Sequence, residues 1–475
     1  MPAEDDPVVG TPTPGEPTTL DLLVPRRIHI IGIGGAGMSA IAIVLRSMGH
    51  DVSGSDLRDS PVAERLRSQG IAVAIGHRAE NVSDADALTF SPAVQPSNVE
   101  LVEAEARGIT VVPRSVMLAA ICATRRCLAV AGTHGKTTTA SMLSLVLVEA
   151  GLRPSFVIGA DVNEIGTNAV WDTGEWLVVE ADESFGTFRA IRPDIAVLTN
   201  VEPDHLDYYA TFDELRTAFS EFAGAATERA VVCSDDPEAA AIGRARDAVT
   251  VGSEAGATYR MTDLELARSS VSFTVEGPGG PLGQLVVGVP GLHNARNAAV
   301  AAVAALEAGA PFAAAQSALA RFAGVTRRFE FRGEARGVTF VDDYAHLPTE
   351  VRAALAAARS GGWSRVVAVF QPHRYTRTGA LAGSFGAAFD DADLVVITDV
   401  YGAGELPVPG VSGRLVADAV SAGSPGLPVV YVSSREELAA AVAALLRPGD
   451  VCCTLGAGDL TTLPDELVAS LGGGP

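Results

Sequence analysis

Short apolar runs recur along this chain, and each ends in glycines or carboxylates. Arg27-Ile-His-Ile-Ile31 leads into Gly32-Ile-Gly-Gly-Ala-Gly37, and Cys127-Leu-Ala-Val-Ala131 into Gly132-Thr-His-Gly-Lys-Thr137. Gly337-Val-Thr-Phe-Val341 leads into Asp342-Asp-Tyr-Ala-His346. Similar runs predict strands at Trp176–Val179, Asp194–Thr199, Val366–Phe370, Leu394–Thr398, Val429–Val432 and Val451–Leu455. Alanine- and leucine-rich stretches between them, such as Met38–Met48, predict helices. Unbroken runs of about four to six apolar residues suit strands buried on both faces, so the pattern predicts an α/β fold with parallel sheets covered by helices on both sides. Ser269–Val289 alternates instead and carries Gly-Pro-Gly-Gly at 277–280, which predicts a hairpin. In parallel sheets ligands gather at the carboxyl ends of strands, where the three loops fall.

The length, 475 residues, suits about three domains. The three segments place domain boundaries near 120 and 324. The predicted units are a tail at 1–25 and domains at 26–120, 121–323 and 324–475. The tail holds six prolines and five acidic residues, with no basic residue before Arg26. It reads as a disordered segment and not as a secretory leader, which needs a basic start and an apolar middle.

A net charge of −22 argues against a nucleic-acid or anionic-membrane surface, since both want clustered cations. No apolar run approaches the roughly 20 residues that span a bilayer. The five cysteines are scattered, without Cys-x-x-Cys spacing, which suggests reduced thiols and a cytoplasmic setting. Of 35 lysine and arginine residues one is lysine, and it stands in Gly132-Thr-His-Gly-Lys136-Thr-Thr138. An ammonium on a flexible stem enters a tight, glycine-bounded loop more readily than a planar guanidinium.

This loop is shorter than the usual G-x-x-x-x-G-K-[ST], with Val130 where the first glycine would stand. The mechanics carry over. Amides of Gly132, Thr133, His134 and Gly135 at a helix start can hold phosphates, Lys136 can reach the outer oxygens, and the Thr137 hydroxyl can ligate a divalent cation beside Thr138. Acidic partners are at hand in Glu180-Ala-Asp-Glu183-Ser184 and in Thr199-Asn-Val-Glu202-Pro-Asp204-His205-Leu-Asp207, each following a predicted strand. Magnesium prefers oxygen ligands, so these residues alone make His205 a neighbour or a general base. In the first domain Gly32, Gly34 and Gly37 satisfy G-x-G-x-x-G between a strand and a helix, and Asp56 follows near the next strand end. That arrangement suits the diphosphate of a nucleotide, with the carboxylate near a ribose.

Taken together these motifs resemble the Mur ligases, ATP-dependent enzymes that add amino acids to the UDP-muramoyl precursor of peptidoglycan. Gly291-Leu-His293-Asn294-Ala-Arg-Asn297-Ala and Phe370-Gln-Pro-His-Arg374-Tyr-Thr-Arg377-Thr add to the likeness, which spans about residues 26–470. The opening glycine loop, with Asp342-Asp-Tyr-Ala-His346, is similar to that of the branch adding L-alanine to UDP-N-acetylmuramate. A related branch, attaching a recycled cell-wall peptide, is the alternative. The resemblance implies three domains: a Rossmann-like domain for UDP, a central P-loop ATPase-type domain, and a C-terminal Rossmann-like domain. Gly32, Gly34, Gly35, Ala36, Gly37, Met38 and Asp56 would address the UDP substrate. ATP would be met by residues 132–138, His293, Asn294, Asn297, Arg328 and Asp343, and Mg²⁺ by Thr137, Glu180 and His205. Lys136, His205, His346, Arg374 and Arg377 would be catalytic, the last three around the muramoyl carboxylate and the alanine. The chain departs from the family pattern at Phe185, Leu347 and Gly379, where Asp, His and Arg are usual. With one lysine, committed to the loop, the carbamylated lysine of several Mur ligases has no counterpart here.

Overall fold

A computed structural model describes residues 20–205 and 208–472. The described chain forms two compact units. The first runs up to Arg260 and adds Gly277–Gly280 and Ala299–Ala318; the second holds Met261–Glu276, Pro281–Ala298 and the chain from Leu319 onward.

The first unit opens with a five-stranded sheet in which the strand Arg27–Ile31 lies centrally. The order is Ala72–Ile75, Asp51–Asp56, Arg27–Ile31, Ala87–Phe90, Thr110–Pro113, all parallel. This is the doubly wound arrangement that the pattern predicts. Its order reverses beside Arg27–Ile31, so a crevice opens at the loop that follows that strand. Ile28 and Ile30 join the helix Ala36–Ser47 in one core, while Ile31 packs on the other face with Leu88 and Leu101. Of the predicted tail, residues 1–19 lie outside the described residues. Its expected end at 25 is too late: Leu20 and Leu22 are buried in the same core as Ile28, since two leucines one residue apart place their side chains on one apolar face.

A second sheet carries the lysine loop. Seven of its ten strands run Val249–Gly252, Arg229–Cys233, Ile195–Leu198, Arg126–Ala131, Trp176–Glu180, Ser155–Val162, Thr167–Val170, parallel except for the last pair. Arg126–Ala131 has neighbours on both sides and is almost wholly buried, which its apolar sequence requires. The expected hairpin forms as Val271–Gly277 and Gly280–Val287.

The second unit holds a six-stranded sheet ordered Glu330–Ala335, Val338–Asp343, Asp450–Leu455, Arg365–Phe370, Leu394–Ile397, Val429–Tyr431. Only the first pair is antiparallel. Val341, Ala368 and Phe370 fill the core on one face; Phe340, Val369 and Cys452 fill the core on the other. Among the described residues no helix is long and apolar enough to cross a membrane.

Candidate active site

The strand Arg126–Ala131 delivers the chain to Gly132, whose φ is +140°. A Cβ there would lie 2.0 Å from Thr199 Oγ1, so only glycine lets the loop pass. Gly135, at φ +78°, turns the chain into the helix Lys136–Glu149. The Lys136 ammonium stays on its own loop. It donates to the carbonyls of Gly132 (2.7 Å) and Thr133 (3.2 Å) and pairs with the buried Glu183 carboxylate at 2.8 Å. Burial works against its charge, but Glu183, Asp182 and Glu180 outweigh that and hold Lys136 up at about 12. Burial in turn pushes Glu183 up to about 7, against the pull of Lys136. The ammonium is thus charged and balanced by a carboxylate that an incoming phosphate can replace.

The carboxylates fall at the ends of the neighbouring strands. Thr137 Oγ1 donates to Glu180 Oε1 at 3.0 Å, and the other Glu180 oxygen accepts the Gly159 amide at 2.8 Å. Asp182, Glu183 and His205 bring one ligand atom each within 4.8 Å of one another. The residues expected around a cation are therefore split: Thr137 and Glu180 meet each other, and His205 joins Asp182 and Glu183. His134 donates its amide to Asn200 Oδ1, and its ring lies 3.2 Å from Glu202 Oε2. His205 has φ +52° and sits 3.5 Å from Asp204 Oδ2. Leu206 and Asp207 lie outside the described residues. Phe185, at φ +52°, is half exposed and meets Tyr208 edge to face at 6.1 Å.

In the first sheet, Gly32 and Ile33 donate to the Ser55 carbonyl, and Gly34 donates to Asp56 Oδ2 at 2.9 Å. Asp56 thus braces the loop from the next strand. A Cβ on Gly34 would lie 2.8 Å from that same oxygen. Gly35 caps the helix that Ala36, Gly37 and the buried Met38 begin.

The second unit gathers the remaining expected residues. His293, Asn294 and Asn297 lie in the first turns of the helix Leu292–Glu307. Desolvation, then the charges of Arg328 and Arg296, hold His293 down to about 4. Asp343 ends its strand with both oxygens taken by the amides of Phe329 and Ala345, each at 2.8 Å. Burial raises it to about 6, against Arg328. His346 Nδ1 lies 3.1 Å from the Tyr344 carbonyl and 3.2 Å from Glu350 Oε2. Glu350 also accepts the amides of His346 and Leu347, and Leu347 itself is buried. Arg374 is held at φ 65°, ψ 137°, with its Nε buried and without a hydrogen bond. Arg377 Nη1 lies 3.1 Å from His373 Nδ1. His373 stacks on Tyr401 at 5.9 Å and meets His346 edge to face at 5.8 Å.

Three participants were not assigned from sequence. Asp182 and Glu183 were visible as strand-end carboxylates, but nothing in their spacing says which would face Lys136. His373 stood inside a recognised motif, and its role emerges only from the ring stack.

Three successive stretches match the descriptions "Mur ligase family, catalytic domain" (residues 27–126), "Mur ligase middle domain" (130–305) and "Mur ligase, glutamate ligase domain" (327–458). A UDP-N-acetylmuramate–L-alanine ligase of Anaeromyxobacter sp. strain Fw109-5 is 45% identical over 451 residues, 94% of this chain and 98% of the relative. One of Geobacter sp. strain M21 is 44% identical with the same coverage. The solved UDP-N-acetylmuramate–alanine ligase of Thermotoga maritima is 30% identical, with a TM-score of 0.79 over 94% of this chain and 99% of its own. A murein peptide ligase of Psychrobacter arcticus shares the fold, at 24% identity and a TM-score of 0.67. With three family domains in order and relatives matched over nearly their whole length, the chain belongs to the Mur ligase family.

Proposed function

We propose that this protein joins L-alanine to the carboxylate of UDP-N-acetylmuramate at the expense of ATP, in the synthesis of the peptidoglycan precursor. The observation that carries the reading is Lys136: a charged ammonium held on a glycine loop, facing converging carboxylates, in a chain 45% identical to alanine-adding ligases over 94% of its length. A carboxylate resists attack by an amine, so it must first gain a leaving group. Its oxygen attacks the γ-phosphorus of ATP, which releases ADP and leaves an acyl phosphate. The alanine amine then attacks the acyl carbon, and the tetrahedral intermediate expels phosphate. The protein's task is to align the reactants and neutralise charge.

Lys136 supplies charge to the transferring phosphoryl group. The Thr137 hydroxyl with Glu180, and Asp182 and Glu183 with His205, form donor sets rich in oxygen, which fits Mg²⁺. Such an ion, when bound, would neutralise phosphate oxygens. Arg374 and Arg377 suit bidentate recognition of carboxylates, and His346 would orient the alanine ammonium or take its proton. Five cysteines, all buried and none joined in a disulfide, support a reducing, cytoplasmic setting.

The reading is tested by incubating the protein with UDP-N-acetylmuramate, ATP and Mg²⁺, supplying each amino acid in turn, and weighing the nucleotide product. A product heavier by one alanyl residue is expected. Preference for a preformed peptide over alanine would transfer the chain to the recycling branch, and no adduct with any amine would end the proposal.

A further inference from the structure

Arg114 begins the helix Arg114–Cys122 directly after the last strand of the first sheet. Its guanidinium lies over Gly37: a Cβ there would stand 2.6 Å from Nη2 and 2.8 Å from Cζ. The third glycine of the loop is therefore also the seat of an arginine. Among the described residues the side chain has no hydrogen-bond acceptor and no ion-pair partner, and its Nε is buried.

The placement is unfavourable for a guanidinium without an anion. The first turn of the helix Ala36–Ser47 and the start of its own helix both present the positive end of a helix dipole. A buried donor without an acceptor costs free energy as well. A second unmatched group lies at the same turn. Asn168, 2% exposed, donates to the Ala36 carbonyl at 3.2 Å and leaves its Oδ1 buried without a partner. In a chain with 57 acidic residues, Arg114 forms no ion pair among the described residues and stands beside a diphosphate-type loop, where an anionic ligand would match its charge.

We propose that Arg114 is a substrate-binding residue, its guanidinium gripping the nucleoside diphosphate of the UDP-sugar together with the amides of the 32–37 loop. The assignment rests on the UDP-sugar reading above. A guanidinium offers paired donors to phosphate oxygens, and the dipole that disfavours the lone cation favours the bound pair.

The test is calorimetry of wild type, R114A and R114K with UDP, with UDP-N-acetylmuramate and with ATP, alongside melting temperatures. R114A should bind both UDP compounds roughly tenfold or more weakly. R114K should lose less, and ATP affinity should change by less than about twofold, which a general loosening of the fold would not allow. Equal binding of UDP by wild type and R114A would overturn the assignment. So would loss confined to UDP-N-acetylmuramate, because the partner would then be its carboxylate. If R114A does not fold, R114K and R114Q decide on the same criteria. A wild type that binds neither UDP compound would sink the functional reading itself, a result distinct from wild-type binding that R114A retains.

Discussion

Lys136 shows how one side chain can be prepared before its ligand arrives. Its charge is secured by three carboxylates, and its position by two loop carbonyls. Replacing Lys136 by alanine is expected to lower turnover at least ~100-fold while leaving UDP-N-acetylmuramate affinity intact. Parallel steady-state kinetics and calorimetry would show this, and equal loss of both would mean that the loop itself has collapsed. The identity of this residue was plain in the sequence because glycines frame it and no other lysine competes. Its partner was not, since Glu180, Asp182 and Glu183 stand in one run and only folded geometry selects Glu183.

His373 supports a pH argument. Unfolded, it titrates near 6.5; in the fold, burial first and then the charges of His346, Arg377 and Arg374 bring it down to about 3. The native state thus binds this proton less readily than the unfolded chain. Its contribution to stability is full above about 6.5 and is lost as the pH falls toward about 3. Urea midpoints should therefore fall more steeply for wild type than for H373Q between pH ~7 and ~5. Parallel curves would show that His373 has no part in the acid sensitivity.

At the scale of elements, the loops between strands and helices carry the strain. Arg374, at φ 65°, ψ 137°, caps the short helix Tyr375–Leu381 in a conformation that suits glycine. Its amide is committed to the Tyr401 carbonyl, which keeps the backbone there. Arg374→Gly is expected to stabilise the protein by about 1 kcal/mol in urea unfolding while raising the alanine KM. Loss of stability with an unchanged KM would assign the residue to packing instead. Gly132 is the opposite case, a glycine that nothing else can replace. Gly132→Ala must displace Thr199 or the loop, and ATP affinity measured by calorimetry should fall by at least roughly tenfold. Both loops were legible as loops. Their backbone angles were not, because Arg374 gives no sign in sequence of a left-handed turn.

Across the whole molecule, the strands with unbroken apolar cores were legible from their own residues, and the polar ones less so. Asp51–Asp56 has no apolar run, and only its distance from the glycine loop marks a strand ending near Asp56; it sits beside the central strand of its sheet. Its buried Ser55 hydroxyl donates to Glu100, a buried carboxylate that also accepts from Asn81. Those bonds replace the water that a polar strand needs, and they come from residues far along the chain. Glu330–Ala335 is hidden for another reason: it is a half-exposed, antiparallel edge with a register shift between Phe331 and Gly333. The candidate site was legible in outline, because loops after buried strands are where such sheets bind ligands. The pairing of Lys136 with Glu183, the seat of Arg114 on Gly37 and the stack of His373 on Tyr401 needed the fold.

The proposed reaction makes the substrate carboxylate an acyl phosphate before the amine attacks. Supplying UDP-N-acetylmuramate with heavy oxygen in its carboxylate, together with ATP, Mg²⁺ and L-alanine, tests this step. The mass of the released phosphate is then measured. One heavy oxygen is expected to pass from the carboxylate into each phosphate; phosphate free of the label, with the alanyl product still formed, would contradict an acyl-phosphate step.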